Sequence, residues 1–214
     1  MNEPQFFSFS HGRGSLFLLP CFRQDEWDDL KIRIDKNIPK GELRFIVNPC
    51  FGKKFWDVVT AGQGLLLGIS GRVVKLLQDN NITGCKFYPI TINDHEDLSY
   101  YLLTITGRCE AFDISKSKVM ETIEYPESVI QNSNIVIPKG KFSIMKGFHF
   151  PLESWDGSDF FTPEGGGDII VTERVKDLLK KHKVTNVVLE NIKDMVWNSG
   201  IYPENTARGI LQSE

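Results

Sequence analysis

The sequence predicts an α+β fold made of two related lobes, and three observations carry that expectation. Two segments, "ISGRVVKLLQDNNITGCKFYPI" and "VTERVKDLLKKHKVTNVVLENI", each read as a capped amphipathic helix running into a strand. They superpose with a shift of 102 residues and no gap. β-rich stretches punctuated by Pro and Gly lie ahead of each.

In chain order, "SLFLLPCF" (Ser15 to Phe22) and "ELRFIVNP" (Glu42 to Pro49) read as strands, while "DEWDDLKIRI" suits a short helix or a strand equally. In the first clear unit Ser70 is the expected N-cap, with Val73, Leu76 and Leu77 on the apolar face. The helix should stop near Asn80-Asn81, with "CKFYPI" as the following strand. "LSYYLLTITGRCEAFDIS" predicts two strands meeting near Gly107, and "NSNIVIPKGKFSIMKGFHF" a pair turning at Lys139-Gly140. In the second unit Thr172 is the N-cap, Val175, Leu178 and Leu179 form the face, and "NVVLENI" is the strand. Glu173 in the first turn and Lys180, Lys181 and Lys183 near the end complement the helix dipole.

The 102-residue register matches Arg72, Val73, Leu76, Leu77, Thr83 and Ile90 to Arg174, Val175, Leu178, Leu179, Thr185 and Ile192. It also runs backwards, setting Asp57-Val58-Val59-Thr60 on Asp159-Phe160-Phe161-Thr162 and Gly64 on Gly166. We read this as an internal duplication within one two-lobed unit over 1–214, with copies at about 55–92 and 157–194 and an irregular tail over 199–214. Asp57, Thr60, Ser70, Asp159, Thr162 and Thr172 are then structural. Both aspartates should bond local backbone N–H groups. Whether the two helices share one sheet is left open.

Composition narrows the function classes. Hydrophobic residues at 41% and charged residues at 25% belong to an ordinary globular protein. A net charge of −3 with scattered Lys and Arg argues against nucleic acid as a partner. The N-terminus lacks the pattern of a secretory signal, and no apolar run is long enough to span a membrane. Four separated cysteines without a C-x-x-C pair suit reduced thiols and a cytoplasmic location.

Catalytic and ligand motifs fail their tests. "GISGR" lacks the Gly two positions after Ser70 that a nucleophile elbow requires, and its counterpart is a capping Thr172. "HGRGS", "GKK" and "EGGG" are not placed between a strand and a helix as phosphate loops are. His95 in "NDHED" has no second His or Cys at ligand spacing, so no metal or other cofactor is expected.

"WDGSDFF" (Trp155 to Phe161) has the makeup of a recognition site, with aromatics beside carboxylates. The register divides it: Asp159 to Phe161 belong to the matched element, whereas Trp155 and Asp156 fall on Lys53 and Lys54. Trp155 and Asp156, with Glu153, are therefore the candidate partner-binding residues. The same carboxylates support an alternative, a hydrolase or small-ligand site between the lobes using Glu153, Asp156 and Asp159.

The chain also resembles a bacterial family, the immunity proteins of polymorphic toxin systems. The resemblance rests on "DISKSKV" (Asp113 to Val119), "SDFF", "IIVTERVKDLLKKHKVTNVVLENI" and, repeating its theme, "LLLGISGRVVKLLQDNNITGCKFYPI", together spanning about 55–192. It implies a small cytoplasmic protein that binds a cognate toxin domain and blocks it without a reaction of its own. It assigns no catalytic residue.

Overall fold

The computed structural model describes residues 4–21, 27–36, 38–62, 66–124, 141–165 and 167–198. The expected turn at Lys139-Gly140, the Gly64 and Gly166 match and the 199–214 tail lie outside them.

The α+β expectation is corrected: the protein is mostly β, organised around a closed barrel. Six strands form it: β2 (Phe17–Pro20), β3 (Leu43–Val47), β4 (Val58–Ala61), β5 (Leu66–Ser70), β6 (Cys85–Ile92) and β7 (Tyr100–Ile105). They run in the order β2-β3-β6-β7-β5-β4, closed by β4 returning to β2. A second sheet has the order β13-β1-β12-β11-β8, from β1 (Phe6–His11), β8 (Gly107–Cys109), β11 (Phe160–Pro163), β12 (Ile170–Thr172) and β13 (Val187–Asn191). Three further strands, β9 (Lys118–Glu124), β10 (Lys141–Lys146) and β14 (Val196–Asn198), make an outer sheet. The α-helices among the described residues are short: α1 (Asp29–Arg33), α2 (Gly71–Asp79) and α3 (Glu173–Lys181). "DEWDDLKIRI" thus resolves to a helix over its described part.

The helices α2 and α3 and the strands that follow them were legible; the architecture was not, because barrel closure depends on two parallel pairings, β2 with β4 and β3 with β6. Each joins strands well apart in sequence, which local periodicity does not encode.

The strands sort their side chains by alternation. Val58, Leu67, Ile69, Leu103 and Ile105 leave the barrel wall and meet Phe7, Phe9, Phe160 and Val171 from the second sheet, with Val73, Leu77, Val175 and Leu179 from the helices. Their neighbours Val59, Ala61, Leu66 and Leu102 fill the barrel with Phe45 and Ile92. On the far face of the second sheet, Phe6, Phe161 and Ile170 pack with Phe148 and Trp197. Strands covered on both sides need no polar alternation, which is why β4 reads "VVTA" with every residue buried. Complete burial of Phe160 and Phe161 contributes roughly 2–3 kcal/mol each before entropy is charged. On the helices, Val74 rather than Leu76 joins the fully buried set, and Leu178 is only half-buried.

Shifted by 102 residues, the pairing Val58↔Ile69 becomes Phe160↔Val171, and Val59↔Gly68 becomes Phe161↔Ile170. The strand between the two arms of each unit comes from elsewhere in the chain. β7 lies between β5 and β6, and β1 lies between β12 and β13 in matching register. Tyr100 opposite Ser70 therefore corresponds to Phe6 opposite Thr172. The strands near Gly107 do not form a hairpin in one sheet: β7 completes the barrel, and β8 joins the second sheet beside β11. The two helices accordingly rest on different sheets, α2 on β5 and β7, α3 on β12 and β1.

Candidate functional site

Asp57 sits just ahead of β4 and is nearly buried, and its carboxylate gathers donors from both units. The Ser70 hydroxyl donates to it at 2.8 Å, the Thr185 N–H and hydroxyl at 2.8 Å each, and Arg72 pairs with it. Arg72 also donates to the His182 carbonyl at the end of α3. Asp159 repeats the arrangement, accepting from Thr172 and Arg174 at 3.0 Å, and from the Thr83 N–H and hydroxyl at 3.1 and 3.3 Å.

Two expectations change here. Ser70 and Thr172 do stand at the N-cap positions with extended backbone, but their hydroxyls donate to the aspartates instead of capping helix N–H groups. Nor are the backbone groups that the aspartates hold local: Thr185 and Thr83 come from the opposite unit. A carboxylate already aligned by an Arg outcompetes a helix N–H as partner for a hydroxyl, since charge-assisted bonds are roughly twice as strong. Thr60 and Thr162 are buried in β4 and β11, where the Thr60 N–H donates to Ser15 and the Thr162 hydroxyl to the Asp168 carbonyl.

An open cleft of about 670 Å³ lies beside α2 above Asp57. Phe55, Trp56, Tyr100 and Tyr101 line it together with Arg72, Lys75 and Gln78 of α2. Thr185 brings in the turn after α3. Lys54 lies over the Trp56 ring at 3.7 Å, and Phe55 meets His95 edge-on at 4.7 Å. The Tyr100 hydroxyl donates to the Trp56 carbonyl at 2.5 Å. Burial and the negative charge of Asp57 push that phenol up to about 12, so it remains a donor at neutral pH. Burial alone would raise the Asp57 carboxyl, but bonds from Arg72, Thr185 and Ser70 outweigh it and hold it below its ordinary value. A carboxylate so held is a poor proton acceptor, and Ser70 beside it is tied into the helix start.

The residues singled out in "WDGSDFF" have other surroundings. Trp155 is half-buried, with its ring 5.1 Å from Phe6 and its indole N–H donating to the Ser158 carbonyl at 3.0 Å. Asp156 accepts from the backbone N–H of Arg108 at 2.8 Å and of Ser158 at 3.0 Å. Burial opposes its ionisation, yet these bonds, led by Ser158, lower its pKa. Glu153 is exposed in a short 3₁₀ turn, Leu152–Ser154. Asp156 and Asp159 direct their carboxylates to separate donor sets, and no described cavity is lined by both.

Sequence reasoning missed Phe55 and Trp56. The available signal was "KKFWD", an aromatic pair directly ahead of Asp57. Among the described residues no group of three or more His, Cys, Asp or Glu is arranged to hold a metal, and no helix is long and apolar enough to cross a membrane.

No curated protein matches the chain. The family model of the Imm11 immunity proteins matches residues 22–194, a span that takes in the barrel from β3 onward, both units and the cleft. With well over half of its 214 residues matched, the chain belongs to the Imm11 immunity protein family.

Proposed function

We propose that this protein binds a cognate bacterial toxin domain and neutralises it by covering it, with no reaction of its own. The family match over residues 22–194 carries the reading. The cleft supports it: aromatic residues with Arg are what protein interfaces concentrate at their energetic centres. Glu153 is the one residue of the Glu153, Trp155 and Asp156 set that is exposed and has no hydrogen bond or ion pair among the described residues, and it serves as a secondary contact. The cytoplasm is the compartment we assign, since Cys21 and Cys50 are exposed free thiols suited to reducing conditions. We also infer that the two matched units are duplicates of one ancestral unit, a reading supported by their shared register.

Co-expression with the C-terminal domain of a toxin, sought first among the genes adjoining this one, is the test. Cells should survive only when this protein is present. Equal killing with and without it overturns the reading.

A further inference from the structure

We propose that the cleft beside α2 is the toxin-docking surface and that it receives an acidic segment of the toxin. This rests on the immunity reading above and adds where the contact is made and with what chemistry.

Charge is the first argument. The acids lining the cleft are matched internally, Asp57 by Arg72 and Asp79 by Lys75. The lysines around it are not. Lys54 lies over the Trp56 ring with Lys53 beside it in sequence, and Lys180, Lys181 and Lys183 are within two residues of His182, whose carbonyl accepts from Arg72. None of the five has an acidic partner among the described residues. Glu96 and Asp97, exposed on the loop leading to Leu98, offset part of this surplus. In a chain of net charge −3 the cleft is thus bordered by an uncompensated basic cluster, which attracts an acidic partner and sets its orientation.

Apolar surface is the second argument. Phe55, Trp56 and Tyr101 line the cleft and are only partly buried, so a partner seated there would cover aromatic surface.

A phosphate backbone fits less well than an acidic protein segment. A nucleic acid needs a continuous basic track, and Asp79, Glu96 and Asp97 interrupt this one.

The test measures binding of the purified toxin C-terminal domain at low and high salt. Compared are the wild type, the exposed charge reversal Lys54→Glu/Lys181→Glu, and a control reversal on the outer sheet, Lys118→Glu/Lys146→Glu. The first pair should weaken binding by about tenfold or more and flatten its salt dependence, and the control should stay within about twofold. Trp56→Ala should cost about thirtyfold or more, with its fold checked by circular dichroism. Unchanged affinity of Lys54→Glu/Lys181→Glu for a toxin that the wild type neutralises overturns the docking surface and leaves the immunity reading standing. A wild type that neither binds nor protects overturns both. Tight binding of a 20-nucleotide single-stranded RNA, lost in the cleft reversal while toxin binding is kept, overturns it in favour of nucleic acid.

Discussion

Asp57 and Thr185, 128 residues apart, are joined by three hydrogen bonds: the Thr185 N–H and hydroxyl each donate to the Asp57 carboxylate at 2.8 Å, and the Asp57 N–H donates to the Thr185 hydroxyl at 3.1 Å. Asp159 and Thr83 are joined the same way across 76 residues. Each aspartate also holds the start of its own helix through Ser70 and Arg72 or Thr172 and Arg174. One carboxylate therefore ties a helix start to the turn of the opposite unit, and the pair locks the units in both directions.

Removing either lock should be costly. Asp57→Ala and Asp159→Ala each leave an Arg, two hydroxyls and a backbone N–H without their carboxylate acceptor, and the expected loss is about 2–4 kcal/mol. Urea midpoints at neutral pH measure it. A loss below about 0.5 kcal/mol for both would show that the locks are incidental.

Acid should weaken the fold. Burial works against ionisation at Asp57, Asp35 and Asp156, but hydrogen bonds from Arg72, Lys86 and Ser158, respectively the leading donors, leave all three below their ordinary value. A carboxyl depressed in the folded state binds fewer protons there than in the unfolded chain. Its stabilisation is complete above the ordinary carboxylate value, about 4, and is lost as pH falls through the depressed folded values. Thermal unfolding between pH 7 and pH 2 should show a midpoint that is level down to about pH 5 and then drops, with a shallower drop in Asp57→Asn.

The four cysteines should divide into two classes. Burial pushes the Cys85 and Cys109 thiols up to about 12, with Asp159 and Asp156 adding to it respectively, so little thiolate forms at pH 8. Cys21 and Cys50 are exposed. Iodoacetamide on the native protein, followed by peptide mass spectrometry, should modify Cys21 and Cys50 well before the other two. Urea should abolish the difference.

The turn after each helix gives a comparison between matched positions. Gly84 has φ +79° and corresponds to Asn186 at φ +58°. A Cβ at Gly84 would overlap the Phe160 carbonyl oxygen, a backbone atom with no room to move, whereas Asn186 uses its side chain to donate to the Val58 carbonyl at 2.8 Å. Gly84→Ala should cost about 3 kcal/mol or more, and Asn186→Ala about 1 kcal/mol. Differential scanning calorimetry of the two variants checks the order, and equal losses would contradict it.

Much of the local structure could be read in advance because it follows from local chemistry. Ser70 and Thr172 open helices, Asn80 and His182 close them, and the apolar stripes of both helices face the shared core, with Val74 replacing Leu76 in one. The candidate site was only partly visible. Arg72 and Thr185 emerged as matched positions, whereas Phe55 and Trp56 carry no local mark distinguishing a partly buried, cleft-lining aromatic pair from a fully packed one. Trp155 shows the converse: its composition suggested recognition, and the proximity of Phe6 and Phe161 gives it a packing role.

The sequence by itself determined the two helix–strand units, their 102-residue correspondence and the inward positions Val73, Leu77, Val175 and Leu179 of the two helices, since propensity, capping and periodicity act over a few neighbours. Tertiary structure alone decided which sheet each strand joins. β1 is inserted between β12 and β13, β7 between β5 and β6, and the parallel contact of β2 with β4 closes the barrel. A strand's alternation specifies two faces and leaves its partner open; that choice is made by burial of both faces at once, in a core to which distant parts of the chain contribute.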